Sequence, residues 1–226
     1  MTLIIAGVGR DGAVLCSDRA ESNDTNFRYV EKIFPVHGEV MAYAGDVAIG
    51  EKILSQVERS EWSDSCDKKI QLVEKIVKAE NKLYGKRDPV SLIMSFHDGN
   101  KPLMQVFSDD GTSFRVKTYE AIGAGDDQSE YFLRTLYRPE HDCERLAQIF
   151  SFTIQLISET AINSAVQVSQ EYPPECYIIQ SVRPYRYQNP YLYEMNQHKI
   201  QTLHNSINGF FQDNDILISE VIKRYW

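Results

Sequence analysis

Met1-Thr2-Leu3-Ile4-Ile5-Ala6-Gly7-Val8-Gly9-Arg10-Asp11-Gly12-Ala13-Val14-Leu15-Cys16-Ser17-Asp18 opens the chain. Two apolar runs, residues 3–8 and 13–17, flank a Gly-Arg-Asp-Gly turn, the pattern of a β-hairpin. Thr2 heads the first strand and Asp18 closes the second. If Met1 is removed, Thr2 carries a hydroxyl and a free α-amine on one residue. Thr is small enough for methionine aminopeptidase to act before it, so no longer propeptide is expected.

Working outward, residues 19–28 are polar and read as loop. Residues 32–36 and 39–44 read as a second strand pair across His37-Gly38, with Pro35 confining its strand to an edge or an end. After Ala44-Gly45-Asp46 the period changes to helical. Ile49, Ile53, Leu54 and Val57 share one face. Ile70, Val73, Ile76, Val77, Leu83 and Tyr84 mark a second helix ending near Gly85, with Asp64 or Ser65 as its cap. Strands return over 90–96, 103–107 and 113–119. Residues 121–125 are a small-residue junction into a helix carrying Tyr131, Phe132 and Leu136. A longer helix is expected over 144–165 and a late strand over 175–182. Beyond Arg183 a Tyr- and Pro-rich stretch leads into polar-apolar helical sequence. Met195, Ile200, Leu203, Ile207, Phe210, Phe211, Ile216, Leu217, Val221 and Ile222 are too many apolar residues there for a free tail.

Hairpin-linked strands with helices arriving in pairs predict an α+β fold, a four-layer α/β/β/α sandwich of two stacked antiparallel sheets. The reading divides the chain into a core over residues 1–182 and a C-terminal helical extension over 183–226, packed on the core or at a subunit interface.

Composition limits the function classes. A net charge of −8 argues against a nucleic-acid partner. The apolar start is short and soon interrupted by Arg10 and Asp11, so neither a signal peptide nor a membrane span is expected. Cys16, Cys66, Cys143 and Cys176 are scattered, so disulfides and structural zinc are not expected, and the cytoplasm is the expected location. Cys16 alternates with Leu15 and should pack inside. The five histidines do not cluster. No metal and no cofactor are called for.

A Thr hydroxyl needs a base to act as a nucleophile. An α-amine suits that role, its unperturbed pKa of roughly 7.7–8.0 leaving part of it neutral. A cation near the hydroxyl favours its ionised form, and an acid holds that cation. Asp18 and Lys32, at the ends of neighbouring strands, supply both. Taken singly, Asp18 also reads as a turn residue, Lys32 as a solvated strand start and Gly45 as a helix breaker. Ser17, Arg19 and Asp46 read as surface polar residues.

Thr2, Asp18 and Lys32 together with Ala44-Gly45-Asp46 resemble the proteasome β-subunit branch of the N-terminal nucleophile hydrolases. The resemblance runs through MTLIIAGVGRDGAVLCSDRA, EKIFPV, YAGDVAIG and AIGAGDD. It implies a threonine-type hydrolase of peptide or amide bonds. Thr2 would be nucleophile and base, Asp18 would orient Lys32, and the Gly45 N–H would form an oxyanion hole. Ala20 and Val47 would lie on the substrate pocket. It also implies a homo-oligomer, ring-like in form, and leaves a regulatory ATPase partner open. Two departures stand out. Ala124 occupies the Gly-x-Gly position where peptide-cleaving members usually carry Ser, and residues 168–175 lack the Asp-x-x-Ser-Gly-Gly pattern. A catalytically inactive structural subunit and a small-molecule amidase of the same fold are the alternatives.

Overall fold

The computed structural model describes residues 2–23, 26–84, 88–99, 101–159, 166–180, 184–188 and 194–201, with backbone alone for 21–23, 26 and 27. The opening hairpin is β1 (Leu3–Gly9) and β2 (Gly12–Ser17). They pair from Ile4 opposite Ser17 to Gly9 opposite Gly12. Alternation along these strands sorts side chains to two faces. Leu3, Ile5, Val14 and Cys16 enter one core, while Ile4, Ala6, Ala13 and Leu15 enter another. A one-residue slip would exchange the two sets, so the apolar pattern holds the register.

A second hairpin, β5 (Ile33–Val36) and β6 (Glu39–Ala44), starts the other sheet, which continues through β7 (Ser91–Asp98), β8 (Lys101–Phe107) and β9 (Ser113–Arg115) in the order β5-β6-β7-β8-β9. β5 is an edge strand, which tolerates Pro35. The first sheet is completed by β10 (Tyr119–Gly123), β11 (Glu175–Ile179) and β12 (Pro184–Arg186), in the order β10-β1-β2-β11-β12. Ile4, Ala6 and Leu15 meet Val40, Ala42, Ile93 and Met104 between the sheets.

Helices α1 (Val47–Arg59) and α2 (Cys66–Tyr84) cover the outer face of the second sheet, through Ile53, Val57, Val73 and Val77 on Met41, Leu92 and Phe96. Helices α3 (Asp126–Leu136) and α4 (Cys143–Glu159) cover the first through Leu133, Leu146, Phe150 and Ile154. Three apolar interfaces thus separate four layers, the α/β/β/α arrangement expected from the order of elements. A further helix over residues 194–201 buries Ile200 in the same core as α4.

Several expectations are corrected. The polar stretch 19–28 is a separate hairpin, β3 (Ala20–Asn23) with β4 (Asn26–Tyr29), whose polar residues gave no apolar alternation to read. The strand expected over 113–119 is two strands in different sheets. The crossing between them is anchored by the Val116 N–H on Met104 O (2.9 Å) and the Val8 N–H on Thr118 O (2.7 Å). Leu83 and Tyr84, which continue the apolar period of the second helix, are exposed rather than inward. Lys52 lies over the Tyr84 ring.

The chief correction concerns the cysteines. Cys16 and Cys176 face each other across β2 and β11 and form a disulfide, 160 residues apart in sequence. No spacing rule could signal that pair, because the sheet alone brings it together. Residues 160–165 of the expected long helix, 181–183 after β11, and the tail from Leu203 to Ile222 lie outside the described residues.

Candidate active site

β1 carries Thr2 to the rim between the sheets. The Thr2 carbonyl accepts the Ala124 N–H at 2.7 Å. Gly123, at φ +93°, lies so close that a Cβ there would stand 1.9 Å from that carbonyl oxygen. Glycine is therefore required for β10 to approach Thr2.

Asp18 follows β2 directly and stays beside β1, its N–H donating to Leu3 O at 3.1 Å. Its side chain is fully buried. Oδ1 accepts the Leu3 N–H at 2.9 Å and Lys32 Nζ at 2.9 Å, and Oδ2 accepts the Ala20 N–H at 3.2 Å. Burial pushes the Asp18 carboxyl above its ordinary value, against the pull of the Lys32 ammonium and the two N–H donors. The Lys32 side chain is itself 7% exposed.

Thr2, Lys32, Gly45 and Val47 line one cavity of about 420 Å³ between the sheet rim and the start of α1. A second, also about 420 Å³, borders Thr2 and Gly45 from the other side and reaches Gly123 and Ala124. Thr2 thus stands between two spaces. Gly45 sits at φ +121°, and a Cβ there would be 2.3 Å from Pro89 O, so it is more than a helix breaker. Asp46 caps α1, its Oδ1 accepting the Ile49 N–H at 3.1 Å. Of the sequence-predicted site residues, Thr2, Lys32, Gly45 and Val47 meet at the cavity and Asp18 lies behind Lys32. Ala20 does not line it. It is fully buried and holds Asp18 through its N–H.

Sequence reasoning missed a second buried acid. Glu175, at the start of β11, is 2% exposed and pairs with Ser17 across the sheet. Its Oε2 accepts the Lys32 N–H at 3.1 Å and the Ile33 N–H at 3.4 Å. Arg186 Nη2 lies 3.3 Å and Arg19 Nη1 3.9 Å from Oε1. Burial raises the Glu175 carboxyl, opposed by the Lys32 N–H and the two guanidinium groups. Arg19 is thus an inward partner, not a surface residue, and Ser17 is fully buried. Among the described residues no cluster of three or more His, Cys, Asp or Glu is arranged to hold a metal ion. No described helix is long and apolar enough to cross a membrane.

A four-layer sandwich with a Thr at the head of β1, facing a cleft backed by a buried Asp–Lys pair, is the fold of the N-terminal nucleophile hydrolases. Within that class, the sequence model described as Proteasome subunit matches residues 2–170. The chain belongs to the proteasome subunit family. No curated protein matches its sequence. Among solved structures the fold is similar to that of Anbu proteins. The Anbu (Gly-1) mutant from Hyphomicrobium sp. strain MC1 has a TM-score of 0.75 at 14% identity, over 92% of this chain and 99% of that one. Anbu (ancestral beta-subunit) from Yersinia bercovieri has 0.74 at 13% identity, over 95% and 99%. The helical assembly of the Anbu complex from Pseudomonas aeruginosa has 0.73 at 15% identity, over 92% and 96%.

Proposed function

We propose that this protein is a threonine-type hydrolase of peptide or amide bonds, with Thr2 as its nucleophile once Met1 is removed. The observation that carries the reading is the buried Lys32–Asp18 pair at 2.9 Å, with Lys32 lining the same cavity as Thr2. Thr2 Oγ1 attacks the substrate carbonyl and its proton passes to the Thr2 α-amine. Lys32 stabilises the charge on oxygen, Asp18 holds Lys32, and the Gly45 N–H faces the oxyanion. The amine product leaves with that proton. Water then opens the Thr2 ester and restores the hydroxyl.

The cavity wall carries Glu31, Asp46, Glu51 and Asp88 against Arg28 and Lys32, an excess of acid that favours a substrate with a basic side chain. The likeness to a helical assembly of Anbu supports a homo-oligomer. The cytoplasm, where Met1 is removed, is the proposed location. The disulfide is compatible with it, because Cys16 and Cys176 are shielded from reductants by burial.

Treatment with a peptide epoxyketone followed by intact-mass analysis tests the reading, since adduct formation needs the amine and the hydroxyl together. A single adduct, absent in Thr2→Ala, is expected. A protein that quantitatively retains Met1 could not perform this chemistry. Ala124, which has no hydroxyl to offer in the 123–125 turn, favours the second reading, an inactive structural subunit. Peptide turnover lost in Thr2→Ala excludes it. Casein and short peptides compared with small amides separate a peptidase from an amidase.

A further inference from the structure

Two carboxylates from neighbouring strands hold one lysine at its two ends. Asp18, after β2, takes the Lys32 ammonium, and Glu175, opening β11, takes the Lys32 main-chain N–H. The second contact joins the two sheets, because β11 belongs to the first and β5 begins the second at Ile33. We infer that Glu175 is a positioning residue for the Thr2 chemistry, fixing the main chain from which Lys32 reaches the cavity. The catalytic part of this inference rests on the reading of Thr2 as nucleophile.

Packing alone does not call for an acid here. Burying a carboxylate is costly, and a well-packed neutral or apolar side chain usually serves stability as well or better. What the carboxylate adds is a strong, doubly accepting oxygen for two adjacent N–H groups, Lys32 and Ile33. Its other oxygen makes no hydrogen bond of good geometry. It is compensated by charge, from Arg186 on β12 and Arg19 beside Asp18. Those two cations oppose the rise that burial imposes on the Glu175 carboxyl, while Oε2 accepts the two N–H groups. The same carboxylate lies one register position from the Cys16–Cys176 disulfide, which ties β11 to the strand carrying Asp18. Both acids are therefore placed by one strand pair. Without Glu175 the Lys32 and Ile33 N–H groups would lose this acceptor at the start of an edge strand, and the main chain that places Nζ would lose that hold.

The test compares Glu175→Ala and Glu175→Gln with wild type by two independent readouts. Hydrogen exchange of the Lys32 and Ile33 amides needs no activity. Glu175→Ala is expected to speed it about 10- to 100-fold, the factor that unpairing a buried N–H corresponds to, with the β7 amides unchanged. Epoxyketone labelling supplies the second readout. Its maximal rate is expected to fall about 10-fold or more while the concentration for half-maximal rate is kept, as for loss of a transition-state interaction. Glu175→Gln, which retains an acceptor, restores most of both. If Glu175→Ala does not fold, Glu175→Gln decides, through intermediate exchange and labelling. Unchanged exchange at Lys32 and Ile33, or exchange that rises equally in β7, overturns the inference. So does labelling that falls only through weaker binding. A wild-type protein that never labels overturns the hydrolase reading instead, and the exchange arm still decides whether Glu175 holds Lys32.

Discussion

Among the described residues lie two buried acid–lysine pairs, and one of them borders the cleft with Thr2. Glu39, 3% exposed at the start of β6, is saturated. Its Oε1 accepts Lys69 Nζ at 3.4 Å and the His97 N–H at 3.2 Å. Its Oε2 accepts Ser95 Oγ at 3.3 Å and meets His97 Nδ1 at 2.8 Å. Lys69 also lies 5.4 Å from the Trp62 ring centroid. This pair knits β6, β7 and α2 together. Asp18 is held as firmly, but its partner Lys32 lines a cavity shared with Thr2. A buried ion pair is thus not in itself a site. It becomes one where its cation borders space that a substrate can enter and a nucleophile stands at the edge of that space.

The contrast can be broken most sharply by mutation. Thr2→Ala and Lys32→Ala are each expected to lower peptide turnover per folded molecule about a thousandfold or more, Lys32→Ala also losing stability because it leaves the buried Asp18 without its cation. Glu39→Ala is expected to cost stability alone. It leaves Lys69 without its carboxylate and costs about 3–5 kcal/mol of stability, read by urea melts, while the surviving folded fraction keeps its specific activity. Equal loss of activity per folded molecule in Glu39→Ala would erase the distinction.

The disulfide sharpens the comparison because it lies two residues before Asp18 and none lies beside Glu39. Cys16→Ala/Cys176→Ala is expected to lower stability by about 2–4 kcal/mol. Thiol alkylation of the unfolded, unreduced wild type should label Cys66 and Cys143 but spare Cys16 and Cys176. Labelling of all four would refute the bond.

pH acts on the open pair in two opposite directions. Asp18 has an ordinary value of 3.8 and burial raises it in the fold. Its contribution to stability is therefore fully present below 3.8 and is lost as pH rises through the raised value. Activity needs the carboxylate charged to hold Lys32, so it should climb through the same window. The acid limb of the rate profile is expected above the ordinary Asp value, and the stability gap between wild type and Asp18→Asn should narrow or change sign there. An acid limb at or below 3.8 would contradict this assignment.

The smallest effect concerns the cleft wall. Glu51→Gln is expected to reduce the preference for peptides with Arg or Lys before the scissile bond over those with Glu by about two- to fivefold, the size of a solvent-exposed charge contact. Rates on both substrates would be compared at low salt, and an unchanged ratio would remove Glu51 from substrate selection.

Most of the fold was legible because its signals are local. Alternation in β1, β2 and β6 assigned each apolar side chain to a face, and the 3.6-residue period marked α1 and the first turns of α2. Leu83 and Tyr84 continued that period to the end of α2, where no sheet remains to cover them. The polar β3–β4 hairpin escaped because it buries no alternating apolar face. In the site, Thr2, Asp18 and Lys32 could be picked out because each stands at a strand end within one short stretch of chain. Glu175 could not, being 143 residues from the Lys32 N–H it accepts.

The sequence by itself therefore determined the layers, since periodicity and turn signals act over a few residues, while its resemblance to proteasome β-subunits carried the family and the roles of Thr2, Asp18 and Lys32. Only the tertiary structure decided that β11 lies against β2. That one pairing makes the Cys16–Cys176 bond, turns Arg19 inward and sets Glu175 on the main chain of Lys32. Strand pairing across such a separation is selected by burial of the whole sheet, not by any property of the two segments alone.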